Sequence, residues 1–251
     1  DLLLSMLTSK WNGVNAREEI FKFVDYLNND LILKNDFDKD FVMKACFVLT
    51  DLPHAYKVSN FTKANLDRIE QSWTKIKKAL ESSILLINSF GIDRDSLTSS
   101  NALLPIVYYI LKTGKSLSGT SIFDEKNYNL IHRWLLVALL NNVFGGASDS
   151  TIGLSREIVK DSLSSSNDFP LEHLFLGLRT HGKYSNLEND FVDDILQISY
   201  SRSTAFLALS LVQDDFRHKN NLFHIDHIFP KSLFSTHNLN QAGISPSQIE
   251  E

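Results

Sequence analysis

An acidic residue and an imidazole stand side by side at Asp226 and His227, inside the mainly apolar string 223–233. A carboxylate oxygen is a hard ligand that suits Mg²⁺, and a neutral imidazole can take a proton from water. Hydrolysis of a phosphodiester by one metal ion needs these two functions, a metal ligand and a general base. Asp226 and His227 can supply these two functions.

Residues 226–232 follow the pattern acid-His-Ile-x-Pro-x-Ser. This pattern resembles the first half of the ββα-metal fold of HNH nucleases, as found in the nuclease lobe of CRISPR effectors and in the HNH subunit of GmrSD-type restriction enzymes. The resemblance implies that Asp226 binds the metal and that His227 is the general base. It also implies Mg²⁺ as the cofactor, with Mn²⁺ as a substitute, and DNA as the substrate.

Three neighbours of this pair are further candidate site residues. His224 lies two residues before Asp226, so on an extended strand the two side chains share a face, and His224 is a second candidate metal ligand. Lys231 and Ser232 follow the turn that Pro230 fixes, and both are candidate DNA-binding residues.

The resemblance predicts a site that is only half present. An HNH site is completed by a second strand and a helix, whereas only 24 residues follow His227. We interpret 235–243 as a polar loop and 245–251 as the start of a helix. We therefore expect 214–251 to be the N-terminal half of an HNH module whose other ligands lie beyond Glu251. Because the chain also begins without a methionine, we expect both ends to be cuts through a longer protein and this chain to be inactive by itself.

Two other interpretations of the cluster stay open. Zn²⁺ is a rival metal for His224, Asp226 and His227, although the sequence offers no second ligand cluster that would close a tetrahedral site. A His-x-Asp-His string can also be a hydrogen-bonded surface turn that binds no metal.

Composition limits the function classes. The chain has 251 residues and a net charge of -5, which argues against a protein that coats nucleic acid non-specifically, because that mode depends on Lys and Arg. The single cysteine, Cys46, lies in an apolar run and is predicted to be a core residue, so no disulfide can form within the chain. No apolar run is long enough to span a bilayer, and we expect a cytoplasmic protein that does not bind membranes.

Helical periodicity dominates up to about residue 211, and strand signals are nearly absent before residue 222. We therefore predict a mainly α chain, with a multi-helix domain at 1–213 followed by the truncated ββα-metal (HNH) module. Asn15 and either Asp38 or Asp40 are predicted to begin helices, and Leu222 to Ile225 alternates as a short strand should.

A long helix is predicted from about Thr62 to Asn88, with apolar residues repeating at intervals of three and four. Its opposite face is charged and consists of Lys63, Asp67, Arg68, Lys75, Lys77, Lys78 and Glu81. A face of this kind is usually a solvated surface, and a DNA-facing role is the alternative interpretation.

Three segments, 1–11, 99–114 and 134–149, resemble the helical region between the N-terminal ParB-like domain and the C-terminal HNH domain of the GmrSD superfamily. The resemblance implies a nucleotide-responsive N-terminal domain or partner subunit that this chain does not contain. The expected system is a modification-dependent restriction or phage-defence system.

Arg179 and Lys183, with His181 and Tyr184, form a polar patch that could hold a DNA phosphate, although a solvated loop is the plainer interpretation. The rival function for the whole chain is a non-catalytic helical scaffold that binds a partner protein and carries a vestigial HNH segment.

Overall fold

The structure is a computed structural model that describes residues 11, 15–53, 57–115, 125–146, 148–182, 195–198, 204–212 and 231–243, without the side chains of 212 and 231. The chain divides into two compact units, Asp1–Asn221 and Leu222–Glu251. The predicted boundary at 213/214 and the predicted strand at 222–225 lie outside the described residues.

The described part of the first unit is helical, and no strand occurs in any described segment of the chain. The prediction of a mainly α chain is confirmed. No helix in the described segments is long and apolar enough to cross a membrane. In chain order the α-helices are α1 Ala16–Asn29, α2 Lys39–Leu49, α3 Lys63–Ser89, α4 Leu104–Thr113, α5 Glu125–Leu140, α6 Ser148–Ser162, α7 Leu171–Thr180 and α8 Thr204–Val212.

Side-chain caps begin the first three helices. Asn15 Oδ1 accepts a hydrogen bond from the Glu18 backbone N–H at 3.3 Å, and Asp38 Oδ1 accepts one from the Phe41 N–H at 2.7 Å. Thr62 caps α3 in the same way, through the Asn65 N–H. These bonds satisfy backbone donors that the first helical turn leaves unpaired. The predicted starts at Asn15 and Asp38 and the long third helix are thereby confirmed.

Helix α4 is the centre of the core. Every residue from Leu104 to Ile110 is buried, and α4 contacts α2, α3 and α6. Pro105 lies in its first turn, where no intrahelical N–H is lost. The other main contacts join α6 to α7 and α5 to α8.

Cys46 is fully buried on α2, as predicted, and burial raises the pKa of its thiol to about 12. The thiol is therefore neutral at any physiological pH. It acts as a small apolar group within the helical core.

Helix α5 ends at Leu140, and Asn142 two residues later adopts a left-handed conformation with φ 49°. Asn tolerates this conformation better than most residues do. The chain therefore turns before it reaches Gly145 and Gly146, and α6 begins at Ser148.

The described part of the second unit is a 3-10 helix, Lys231–Phe234, followed by α9, Thr236–Gln241. The prediction of a polar loop at 235–243 is wrong. Ser235 caps α9 by accepting from the Asn238 N–H at 3.4 Å, and Gly243 ends it with φ 79°. Local capping thus makes a helix from a sequence without an apolar face, and α9 has no buried residue.

Candidate functional site

The predicted metal site, formed by His224, Asp226 and His227, lies outside the described residues. No group of three or more His, Cys, Asp or Glu side chains that could hold a metal ion occurs in the described segments. Magnesium binding therefore stays a prediction about the string 223–233.

The predicted DNA-binding residues fall into two places. Lys231 begins the 3-10 helix of the second unit, and Ser232 is its next residue. The structure describes the backbone of Lys231 but not its side chain. Arg179 lies in the last turn of α7, in the first unit, whereas Lys183 lies outside the described residues. The structure therefore does not show these four residues together.

Ser232 fixes the segment that follows the motif. Its backbone carbonyl accepts a hydrogen bond from Asn238 Nδ2 at 2.7 Å, and a longer bond from the Ser235 N–H at 3.3 Å. The Ser232 side chain is exposed. Its carbonyl ties the 3-10 helix to α9, while its hydroxyl faces solvent, where a phosphate could reach it.

Two apolar side chains beside Ser232 are also exposed. Leu233 and Phe234 are 53% and 57% exposed, and every described side chain from 232 to 243 is exposed or only partly buried. The segment after the motif is thus a short, locally capped turn and helix.

The polar patch at the end of α7 is partly used in helix capping. His181 is the C-terminal cap residue, and its ring Nδ1 lies 2.8 Å from the Gly177 carbonyl oxygen. Thr180 Oγ1 donates to the Leu176 carbonyl at 2.7 Å. Arg179 is exposed beside them. These contacts favour the interpretation of this segment as a solvated helix end.

A charged cluster that the sequence did not reveal lies at the end of α2. Asp51 adopts a left-handed conformation with φ 57°, the Asp51 N–H donates to the Val48 carbonyl, and the Leu52 N–H donates to the Phe47 carbonyl. This is the geometry of a helix end that glycine usually occupies. An aspartate there carries some backbone strain, so its side chain must supply compensating contacts.

Those contacts come from α4. Tyr108 Oη donates to Asp51 Oδ1 at 2.6 Å, and Lys112 Nζ lies 2.7 Å from Asp51 Oδ2. Burial opposes ionisation of Asp51, but the hydrogen bonds from Lys112 and Tyr108 outweigh it and lower the pKa of this carboxyl group. Burial, together with the bond to Asp51, raises the pKa of Tyr108.

Arg156 of α6 fastens the same turn from another side. Its Nη1 donates to the Leu52 carbonyl at 2.6 Å, and its Nη2 lies 2.8 Å from Glu157 Oε1. The Arg156 side chain is only 10% exposed, so its bond to the Leu52 carbonyl forms in a poorly solvated environment, whereas the Glu157 side chain is 47% exposed. Lys160 reaches the other oxygen of Glu157 at 3.7 Å.

This cluster is a structural crosslink. Asp51 is paired with Lys112, and Glu157 is paired with Arg156 and Lys160, so each carboxylate of the cluster has a cationic partner. The tyrosine proton is held by the aspartate, which keeps Tyr108 neutral. The partners are 57 residues apart for Asp51–Tyr108 and 104 apart for Leu52–Arg156, so no local sequence signal could have identified them.

A second polar clamp joins α4 and α5 to the turn before α7. Asn127 is fully buried, and its Oδ1 accepts from Tyr109 Oη at 3.0 Å and from the Phe169 N–H at 2.6 Å. Its Nδ2 donates to Asp168 Oδ1 at 3.0 Å. Tyr109 Oη also lies 2.7 Å from the Asn167 carbonyl oxygen.

No protein-family model matches the chain, and no curated protein matches it. A functional assignment therefore depends on the residues and geometry of this chain.

Proposed function

We propose that this chain is part of a metal-dependent HNH DNA endonuclease from a GmrSD-like, modification-dependent restriction or phage-defence system. The observation that carries the proposal is the Asp226–His227 pair in the pattern acid-His-Ile-x-Pro-x-Ser. The mainly helical first unit supports it, since a helical region precedes the HNH domain in the proteins that the sequence resembles.

The donor chemistry of the motif fits a hard divalent cation. Asp226 offers carboxylate oxygens, which Mg²⁺ prefers, and His224 offers an imidazole nitrogen, which Mn²⁺ also accepts. Bound metal would stabilise the negative charge that develops on the phosphate as its bond to the leaving oxygen breaks.

The remaining steps belong to side chains of this chain. Asp226 would bind the metal ion beside the scissile phosphate. His227, while neutral, accepts a proton from the attacking water. Ser232 and Lys231 contact the DNA backbone beside the cut.

The helical unit positions DNA or couples the nuclease to a nucleotide-responsive domain or partner subunit. We place the assembled system in the cytoplasm, where invading DNA is cleaved.

Cleavage of supercoiled plasmid with Mg²⁺ or Mn²⁺ tests the proposal. The proteins compared are this chain and the full product of its gene, the latter also as His227→Ala. His173→Ala is the matched control, because His173 is an exposed imidazole on α7 whose ring Nδ1 lies 2.9 Å from Ser162 Oγ, and it is not part of the string 223–233.

We expect nicking by the full gene product, its loss in His227→Ala, and its retention in His173→Ala. Both modified and unmodified plasmids are needed, because the expected system selects its DNA by modification. Absence of cleavage on every DNA, or equal cleavage by His227→Ala, would contradict the proposal and favour the helical scaffold.

A further inference from the structure

Helix α3 presents a row of cations on its exposed side. Arg68, Lys75 and Lys78 are exposed, as is Gln71 between them. Their spacing of three, four and three residues places all four on one face of an α-helix. We call these four residues the α3 basic stripe.

The opposite side of α3 is anchored in the core, which gives the stripe a rigid support. Its buried residues on that side are Leu66, Ile69, Trp73, Ile76 and Leu80. A helix held along its length in this way cannot rotate its exposed face away from a partner.

The other charges of α3 are engaged elsewhere. Lys63 is paired with Asp67 at 2.8 Å, and Lys77 lies 3.4 Å from Glu19 and 5.5 Å above the Trp73 ring. Glu81 accepts a hydrogen bond from Tyr26 Oη. Within the described part of the chain, by contrast, no carboxylate forms an ion pair with Arg68, Lys75 or Lys78. The stripe itself contains no acidic residue.

We infer that the α3 basic stripe binds the phosphate backbone of duplex DNA. The inference deepens the proposed nuclease function, on which it rests, by naming a DNA-contacting surface in the helical unit. The sequence allowed two interpretations of the charged face of this helix, a solvated surface or a DNA-contacting surface. The inference assigns DNA contact to three of its cations.

The dimensions of the stripe fit this partner. Ten residues separate Arg68 from Lys78, so the cations span about 15 Å along the helix. A DNA strand carries one phosphate per about 3.4 Å of its axis, so about four phosphates lie along the same length. Gln71, in the middle of the stripe, can donate to a phosphate oxygen without adding charge.

The overall charge of the chain makes a local surface necessary. At a net charge of -5 the chain as a whole repels DNA, so attraction must come from places where cations stand together without carboxylates. The stripe gathers three cations on one face of α3, and of the α3 acids that flank it Asp67 is paired with Lys63 and Glu81 accepts from Tyr26.

The test is a DNA-binding titration with the full gene product in EDTA, where no cleavage occurs. Fluorescence anisotropy of a short labelled duplex is measured over a salt series for wild type and for the triple variant Arg68→Gln, Lys75→Gln, Lys78→Gln. The control triple variant, Lys34→Gln, Arg94→Gln, Arg133→Gln, removes the same charge from exposed positions outside α3. Thermal melts confirm that both variants are folded.

We expect the stripe variant to lose at least about tenfold in affinity, and its salt slope to fall by about 2.7 in magnitude if all three cations contact phosphates. The control variant keeps most of the affinity and the slope. Equal losses in both variants, or no loss in the stripe variant, would overturn the inference. It would also be overturned if poly-glutamate displaced the duplex as well as unlabelled DNA does, because the surface would then bind acidic polypeptides.

This experiment can fail independently of the nuclease proposal. If DNA binding depends on the stripe but no plasmid is cleaved, the nuclease proposal is contradicted and the DNA-binding surface is supported. If cleavage depends on His227 but the stripe variant binds DNA as wild type does, the DNA-binding surface is contradicted and the nuclease proposal is supported.

Discussion

Two adjacent tyrosines of α4 hydrogen-bond to two different turns, and the groups that accept these bonds differ in charge. Tyr108 donates to the carboxylate of Asp51, which Lys112 also contacts. Tyr109 meets the neutral amide of Asn127 and the Asn167 carbonyl. The Tyr108 hydroxyl therefore meets a carboxylate, whereas the Tyr109 hydroxyl meets neutral oxygens, and the ion pair on that second side, Asp168 with Lys126, contacts the Asn127 amide instead.

Solvent access explains the difference. The Asp51 and Lys112 side chains are 22% and 37% exposed, so both ions keep part of their hydration. Asn127 is fully buried, where an ion would suffer a large desolvation cost that a neutral amide avoids. The two sides should therefore respond differently to truncation and to pH.

The largest effect is expected on the side that contains Asn127. Asn127→Ala removes the acceptor for the buried Phe169 N–H and opens a cavity, which should lower the free energy of unfolding by about 3 kcal/mol. Urea denaturation measures the change. Asn141→Ala is the control, since Asn141 is half-buried and bonds only within its own helix end, and it should cost below about 1 kcal/mol. Equal losses of unfolding free energy in Asn127→Ala and Asn141→Ala would contradict the role of Asn127 in joining α4 and α5 to the turn before α7.

A smaller loss of unfolding free energy is expected when the Arg156 guanidinium, which binds the turn at Asp51 and Leu52, is removed. Arg156→Ala leaves the Leu52 carbonyl and Glu157 without their close partner, and we expect a loss of about 2 kcal/mol in urea denaturation. Arg133→Ala, on the exposed face of α5, should change the unfolding free energy by less than about 0.5 kcal/mol. A neutral result for Arg156→Ala would show that the Arg156 contacts contribute no net stability.

The smallest effect, and the one that best distinguishes the two sides, is pH dependence. Asp51→Asn keeps a residue that tolerates positive φ but removes the charge, and it should cost about 1 kcal/mol at neutral pH. The pKa of Asp51 is lowered in the folded state, so its contribution is complete above the unfolded value of about 3.9 and is lost as pH falls through the folded pKa.

The difference in unfolding free energy between wild type and Asp51→Asn should therefore shrink below about pH 4. Asn127 does not titrate, and its bonds to the Tyr109 hydroxyl and the Phe169 N–H involve no carboxylate. Asp161→Asn, at an exposed position on α6, serves as the control for loss of a carboxylate. A difference between wild type and Asp51→Asn that is constant down to pH 2.5 would contradict the ionic description.

The sequence predicted what is local. Asn15, Asp38 and Thr62 cap helices whose first turns follow directly along the chain, so residue type and spacing were sufficient. Asp51 could not be predicted, because its partners on α4 are brought to it only by packing. The helix at 236–241 was missed for another reason, since its capping by Ser235 is local but its polar composition resembles a loop.

The candidate site shows the same division. The chemistry of Asp226 and His227 follows from their identity and their neighbours in the string. Which cations of α3 are available was not predictable, because Lys77 is engaged by Glu19 from α1, a residue 58 positions away. Only the packed structure separates Lys77 from Lys75 and Lys78.

The pH dependence of plasmid cleavage by the full gene product tests most directly whether His227 is the general base. A free imidazole has a pKa of about 6.5, and only its neutral form accepts a proton from water. The cleavage rate with Mg²⁺ should therefore be nearly constant above about pH 7 and fall about tenfold per unit well below the imidazole pKa. A rate that is unchanged from about pH 5.5 to 8 would contradict this role for His227.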